Sequence, residues 1–416
     1  MVIAMADYMA PKGMRDFLPD EMLKREWAIE TVKAVYRRFG FVPMETPALE
    51  SIEVLEKKCG DEIKGQLFRI DDGRLALRFD LTVPLSRVAS SNTFRKPFKR
   101  YCVAPVWRRE EPQKGRFREF YQADADIIGC ATVRAEAELL AAATAAISEL
   151  GFSGATVKLN DRRIISAIAS KLLAGKEGEV LRILDKREKI GNDATISMLV
   201  SAGAKEKDAK KLVVDLTKAD GNEAKLKVAA SYSPEAAKDL EEILRLVAKY
   251  SDEIKVELDF SLVRGLDYYT GAIFEISLGP KMGSVSGGGR YDGLLAMYGQ
   301  GDSAVGISLG IERLLALMEE KEMPKTGVFV ANVGEEQYGY ALAVASELRQ
   351  AGIPTQTDLN ERKFGKQLEF ASASCKWIAV VGEREMKEKK VTLKNLETGK
   401  EEACSVEEAV KRVKQG

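Results

Sequence analysis

Between Arg95 and Arg118 nine Lys and Arg residues stand against two Glu, in a chain whose 64 basic and 64 acidic residues otherwise balance. The centre of this surplus is WRREEPQKGRFREFYQ (107–122), a polar loop between two β-type runs. Arginine offers a planar fork that pairs with phosphate oxygens two at a time. A ligand carrying several phosphates suits such a loop. Arg108, leaving a strand, is placed to grip an α-phosphate. Glu110 suits an adenine amino group or a neighbouring arginine, Arg116 adds charge, and Phe120 offers a face for a base. The same residues also suit a solvated hairpin loop.

Three further constellations follow. LVRGLDYYTGAIFE (262–275) sets Arg264, Asp267, Tyr268 and Tyr269 around Gly265, as a pocket lining or as the edge of a core. SVSGGGRYDGLL (284–295) carries three successive glycines, which suit close approach of a ligand to backbone but also tight turns. GISLGIERLLAL (306–317) puts Arg313 in the first turn of a helix, where the dipole already favours anions. The chain contains no histidine. A Ser-His-Asp triad, a histidine base and histidine metal ligands are therefore excluded.

The 416 residues allow two or three domains. Five widely spaced cysteines without a CxxC pair favour reduced thiols in a cytoplasm over a zinc site. The first residues, MVIAMADYMAPKG, do not read as a signal peptide, and no run is long enough to span a membrane.

Periodicity then indicates what positions these groups. Residues 20–39 read as a helix ended by Gly40, and 41–45 as a strand. Residues 74–90 read as a strand running into a short helix after Pro84. Strand, loop and strand cover 98–129. Helix 133–150 and strand 155–160 come next. A Lys-, Glu- and Ala-rich helical insertion spans about 161–250. Strands return at 254–260, 272–278 and 305–310, with glycine clusters between them, and helix 311–320 follows. Residues 321–327 read as a linker. Beyond it, alternating strands and helices indicate a compact α/β domain with a mostly parallel sheet.

The order of these segments is specific. WRREEPQKGRFREFYQ resembles motif 2 of the class II aminoacyl-tRNA synthetases, GISLGIERLLAL resembles motif 3, and FVPMETPALE resembles the end of motif 1. LVRGLDYYTG and SGGGRYDGLL resemble the two segments characteristic of histidyl-tRNA synthetases, and LRFDLTVPLSR (77–87) is similar to their amino-acid-binding segment in its Asp-containing form. The resemblance runs through the whole chain. It implies an α+β catalytic domain over 1–325, with an antiparallel sheet flanked by helices and the insertion at 161–250. An anticodon-binding α/β domain with a mixed, mostly parallel sheet over 326–416 would follow.

The resemblance also implies roles. Asp80 and Thr82 would hold the α-amino group of L-histidine, with Gln122 nearby and Leu81 lending backbone contacts. Asp126 and Tyr269 would meet the imidazole, with Tyr268 and Tyr291 completing the pocket. A site that hydrogen-bonds both ring nitrogens rejects apolar analogues by on the order of 10⁴, because its own groups would be left unpaired. Arg108 would hold the α-phosphate of ATP, and Arg116 and Arg313 the β- and γ-phosphates, with Glu110 and Phe120 at the nucleotide. Arg264 would face Arg108 across the α-phosphate, giving electrostatic catalysis without an obligatory base. Mg²⁺ would accompany ATP, with ligands that the sequence does not name. Gln113 and Lys114 would meet the acceptor end of tRNA(His), and motif 1 implies a homodimer. The competing readings are a catalytically inactive, synthetase-like regulatory subunit of an ATP phosphoribosyltransferase, a prolyl or threonyl enzyme, and an RNA-binding sensor. The C-terminal domain, the RGLDYY and GGGRYDG segments, and the arginine set speak against these in turn.

Overall fold

The computed structural model describes the chain except for residues 1–8, 58–60, 71, 113–115, 264–267, 280–282, 300, 319–326 and 416. The chain divides into two compact units, Met1–Glu319 and Glu320–Gly416. Most of the segment read as a linker lies outside the described residues.

The first unit is built on an eight-stranded sheet. Its strands, in chain order with those of a small neighbouring sheet, are β1 (Val42–Pro43), β2 (Leu49–Ser51), β3 (Arg69–Ile70), β4 (Leu75–Leu77), β5 (Phe98–Trp107), β6 (Glu119–Ile128), β7 (Thr156–Asp161), β8 (Lys255–Leu258), β9 (Ala272–Ser277), β10 (Ser284–Arg290) and β11 (Ala304–Gly310). The large sheet runs β1-β5-β6-β11-β10-β9-β7-β8, and β2-β4-β3 form the small one. From β5 to β7 every pairing is antiparallel; only the outermost pairs, β1 with β5 and β7 with β8, are parallel.

One face of this sheet is apolar. Tyr121, Ala123, Ala125 and Ile127 of β6 pack with Val305, Ile307 and Leu309 of β11 against two helices, Pro19–Arg38 and Arg134–Glu149. The first helix opens with Pro19, Asp20 and Glu21 and closes with Arg37 and Arg38, an order that suits its dipole. It buries Ala28, Val32, Val35 and Tyr36 on one stripe. Six helices occupy Arg162–Tyr250, and their Ile164, Ile168, Leu240 and Ile243 belong to the same apolar cluster as Leu139 and Leu140. The helical insertion thus extends the core of this unit.

Two local readings differ from the sequence expectation. The helix expected after Pro84 starts earlier, at Thr82, and runs to Ser91. Proline is tolerated in a first turn because its missing N–H has no intrahelical partner there. The glycines 287–289, expected between strands, lie inside β10. A Cβ at Gly288 would come within 2.2 Å of the Gly306 carbonyl oxygen and 2.5 Å of the Phe274 ring. Neighbouring strands, rather than a turn, impose glycine there.

The second unit holds a five-stranded mixed sheet of β12 (Val328–Asn332), β13 (Thr355–Thr357), β14 (Trp377–Val381), β15 (Val391–Asn395) and β16 (Glu401–Cys404), in the order β13-β12-β14-β15-β16. Pairings β12–β13 and β12–β14 are parallel; β14–β15 and β15–β16 are antiparallel. Val328 and Val330 face a cluster with Val344 and Leu348, while Phe329 and Ala331 face Ala371 and Cys375. Burial on both faces explains the unbroken apolar run of β12.

Candidate active site

The other face of the large sheet carries polar side chains. Because side chains alternate along a strand, β6 presents Phe120, Gln122, Asp124 and Asp126 opposite its apolar set, and these four line a cavity of 670 Å³. A single amino acid would leave much of that volume empty, whereas an amino acid with a nucleotide would use it. β11 contributes Gly306, Ser308 and Gly310, and β10 contributes Ser286, Gly287 and Gly288. Register sets Asp124 opposite Ser308 and Asp126 opposite Gly306.

One group of lining residues is rich in buried carboxylates. Asp80 accepts from the Val83 amide at 3.0 Å, so it caps helix Thr82–Ser91 from below while facing the cavity. Burial pushes its carboxyl up to about 6, against the pull of the Val83 amide and Arg108. Asp126 is fixed on both sides: Tyr291 donates to its Oδ1 at 2.6 Å, and Arg100 Nη2 lies 3.0 Å from Oδ2. Burial raises this carboxyl too, and Arg100 opposes the shift. Asp124 is raised by burial and then by the charge of Asp126, up to about 7. Tyr268 and Tyr269 pack at 4.5 Å between ring centroids beside these acids. Burial lifts the Tyr268 hydroxyl to about 12.

A second group is cationic. Arg108 donates from Nε to the Phe79 carbonyl at 3.0 Å, and its guanidinium sits 5.2 Å from the Phe120 ring. Arg116 and Arg313 line the same cavity with Glu110 and Glu275. Burial, and then the charge of Arg116, lower Arg313. Two guanidinium groups, with aromatic Phe117 and Phe120 on the same cavity, have the chemistry that suits an oligophosphate attached to a base.

The cavity brings together Asp80, Thr82, Arg108, Glu110, Arg116, Phe120, Gln122, Asp126, Tyr268, Tyr269, Tyr291 and Arg313, all expected from the sequence. Leu81 is absent from its lining. Its side chain packs with Cys102, Ala104 and Val106, and its carbonyl accepts from Arg100 at 2.8 Å. Leu81 therefore steadies the guanidinium beneath Asp126. Gln113, Lys114 and Arg264 lie outside the described residues.

A family model for histidyl-tRNA synthetase matches residues 13–314, and one for an anticodon binding domain matches 327–416. The chain belongs to the histidyl-tRNA synthetase family. A histidine-tRNA ligase of Phocaeicola vulgatus is 36% identical, with 97% of this chain and 98% of the relative aligned. One of Rhodopirellula baltica is 38% identical over 93% of each chain. The crystal structure of histidyl-tRNA synthetase from Nostoc superposes with a TM-score of 0.86 at 26% identity, covering 99% of both chains. Synthetase membership accounts for a cavity with both an acidic and a cationic group.

Among the residues at or beneath this synthetase cavity that sequence reading missed are Arg100, Asp124, Glu275, Ser286 and Ser308. For Asp124 a signal was present. Gln122, Asp124 and Asp126 alternate with apolar residues in a strand, so a ligand meeting Gln122 and Asp126 must also pass Asp124. The others come from strands that only the sheet brings alongside.

Proposed function

We propose that this chain activates L-histidine with ATP, forming histidyl-adenylate and pyrophosphate, and transfers the histidyl group to the 3' end of tRNA(His). Membership of the family and a separate anticodon binding domain favour this over a regulatory subunit without catalysis. The observation that carries it is the convergence of buried acids and phosphate-suited arginines in one cavity.

In this reading the histidine carboxylate attacks the α-phosphate in line, and pyrophosphate leaves. The attacking group is already an anion, so no protein base is required. Arg108 holds the α-phosphate, with its Nε anchored on the Phe79 carbonyl so that its fork stays aimed. By the family resemblance, Arg264 would act on the α-phosphate opposite Arg108. Arg116 and Arg313 hold the β- and γ-phosphates, and Phe120 stacks on the base near Glu110. Asp80, Thr82 and Gln122 take the α-amino group, while Asp126 and Tyr269 meet the imidazole and Tyr268 and Tyr291 complete the pocket. Preorganised charge of this kind lowers the barrier because little reorientation remains at the moment of reaction.

Glu110 and Glu275 are oxygen donors lining the same cavity as Arg116 and Arg313, and their chemistry fits Mg²⁺ carried by nucleotide phosphates. When bound there, the ion would neutralise charge on the leaving pyrophosphate. Gln113 and Lys114 would meet the tRNA acceptor end, and the chain would act as a homodimer. No described helix is long and apolar enough to cross a membrane; the proposed location is the cytoplasm.

The test is ATP–pyrophosphate exchange with each of the twenty amino acids in turn. Exchange with histidine alone supports the reading, and no exchange from folded protein with Mg²⁺ refutes it. Arg264→Ala should lose exchange by orders of magnitude while remaining folded; near-normal adenylate formation would remove its assigned role.

A further inference from the structure

Three buried carboxylates line the cavity, and they differ in what they already hold. Asp80 accepts backbone amides from Val83 and Thr82. Asp126 accepts the Tyr291 hydroxyl on Oδ1, and its Oδ2, though without a hydrogen bond, is ion-paired with Arg100 Nη2 at 3.0 Å. Asp124 is 3% exposed, and only its hydrogen bond from the Ser308 hydroxyl is satisfied. Its Oδ1 has no partner. Gln122 donates from Nε2 to the Ser308 oxygen at 2.8 Å, which turns the Ser308 proton toward Asp124 and leaves Gln122 Oε1 without a donor. Ser286, 5% exposed on the adjoining strand, also has an unpartnered Oγ.

Unmet acceptors at this depth are costly unless a ligand supplies donors. An ammonium brings three N–H donors and a formal positive charge. The acidic group needs both, because Arg100 directs Nη2 to Asp126 and Leu81, and Arg108 directs Nε to Phe79, so neither is paired with Asp124. At neutral pH the α-ammonium is the cation that histidine carries. We infer that Asp124 is a further substrate-binding residue, whose free carboxylate oxygen pairs with the α-ammonium of histidine alongside Gln122.

Asp126 then serves the ring, held in place by Tyr291 and Arg100, while Asp124 serves the amino end. The division explains why two acids two residues apart are kept on one strand face despite their mutual repulsion. Arg100 is ion-paired with Asp126 and acts on Asp124 only through its charge, so the direct cation for Asp124 is left to the substrate. Discrimination follows for free: an analogue without the amino group leaves Asp124 buried and unpaired.

This inference rests on the histidine-activating reading, so the wild-type protein must first show histidine-dependent exchange; its failure there would indict that reading and not Asp124. The variant is Asp124→Asn, which keeps shape and removes charge. Two competitive inhibitors separate the ends of the substrate: histidinol retains the ammonium, and 3-(imidazol-4-yl)propionate lacks it. In Asp124→Asn, the KM for histidine and the Ki for histidinol should each rise about 10- to 100-fold, the range expected for a lost charged hydrogen bond. The KM for ATP and the Ki for imidazolepropionate should stay within twofold. Equal weakening of both inhibitors would place Asp124 at the imidazole and overturn the assignment. Unchanged histidine KM would overturn it as well. Should Asp124→Asn not fold, the same inhibitor pair is applied to Asp124→Ser, with the same outcomes deciding.

Discussion

Arg25 and Glu312, 287 residues apart in sequence, meet as a buried ion pair. Glu312 also accepts from the Tyr121 amide at 2.6 Å, and the Arg25 guanidinium lies between the rings of Phe17 at 3.9 Å and Tyr121 at 4.0 Å. Arg15 extends the stack, 4.2 Å from Phe17 and 4.3 Å from Phe117. One alternating column of cations and rings thus joins the first helix, the approach to β6 and the residue preceding Arg313.

Removing one partner of a buried pair strands the other charge. Arg25→Met should therefore cost about 3–5 kcal/mol of folding stability, measurable by urea denaturation. Because Glu312 sits beside Arg313, the KM for ATP should rise more than that for histidine. An equal rise in both would indicate general loosening of the unit.

Burial and the neighbouring charge of Arg116 disfavour the charged form of Arg313, and an oligophosphate relieves that strain. Arg313→Ala should raise the KM for ATP about 10- to 100-fold, matching loss of one charge-assisted contact. Histidine binding, followed by equilibrium titration without nucleotide, should be unchanged.

Tyr291 is 2% exposed and donates to Asp126 at 2.6 Å. Tyr291→Phe keeps the ring and removes that donor, so Asp126 should hold its proton to still higher pH. The KM for histidine should rise about tenfold. Pyrophosphate exchange as a function of histidine concentration tests this.

The acids of the cavity also set an unusual pH dependence of stability. Asp80 and Asp124 are raised from 3.8 to about 6 and about 7. Between pH 4 and 7 the folded chain therefore holds protons that the unfolded chain has released. For these groups stability falls as pH rises through that window, and the full penalty is present above pH 7. Other carboxylates are lowered by ion pairs and act oppositely, so the comparison must be internal. The stability of unliganded Asp124→Asn relative to wild type should increase from pH 5 to pH 8 in thermal denaturation. A constant difference would show that Asp124 does not titrate there.

Adjacent glycines of β10 should behave differently. Gly288→Ala forces a methyl into the Gly306 carbonyl and Phe274 and should destabilise by on the order of 3 kcal/mol. At Gly287 the nearest atom to an added Cβ is Glu275 Cγ at 3.9 Å, so Gly287→Ala should fold with near wild-type stability. Comparing their melting temperatures separates the two.

Much of the site is readable along the chain because it is carried by local segments. Arg108, Glu110, Arg116 and Phe120 come from one strand-loop-strand, Tyr268 and Tyr269 from one short run, and Arg313 from one strand-to-helix junction. Local periodicity likewise reveals the helices of the insertion, since an apolar stripe at helical spacing records burial on one side. Other features depend on which strands become neighbours. Glycine at 288 makes sense only once β9 and β11 flank β10, and Leu81 turns from the cavity because its side chain packs with Cys102, Ala104 and Val106 of β5. Asp124 reads as one more polar residue of a strand until the sheet buries it with two other acids. Arg25 and Glu312 look like ordinary surface charges until helix and strand close over them. Residue type and local spacing determine which groups are available and which way each strand turns its faces. Burial, charge coupling and unmet hydrogen bonds arise between distant segments, because they depend on what excludes water around each group.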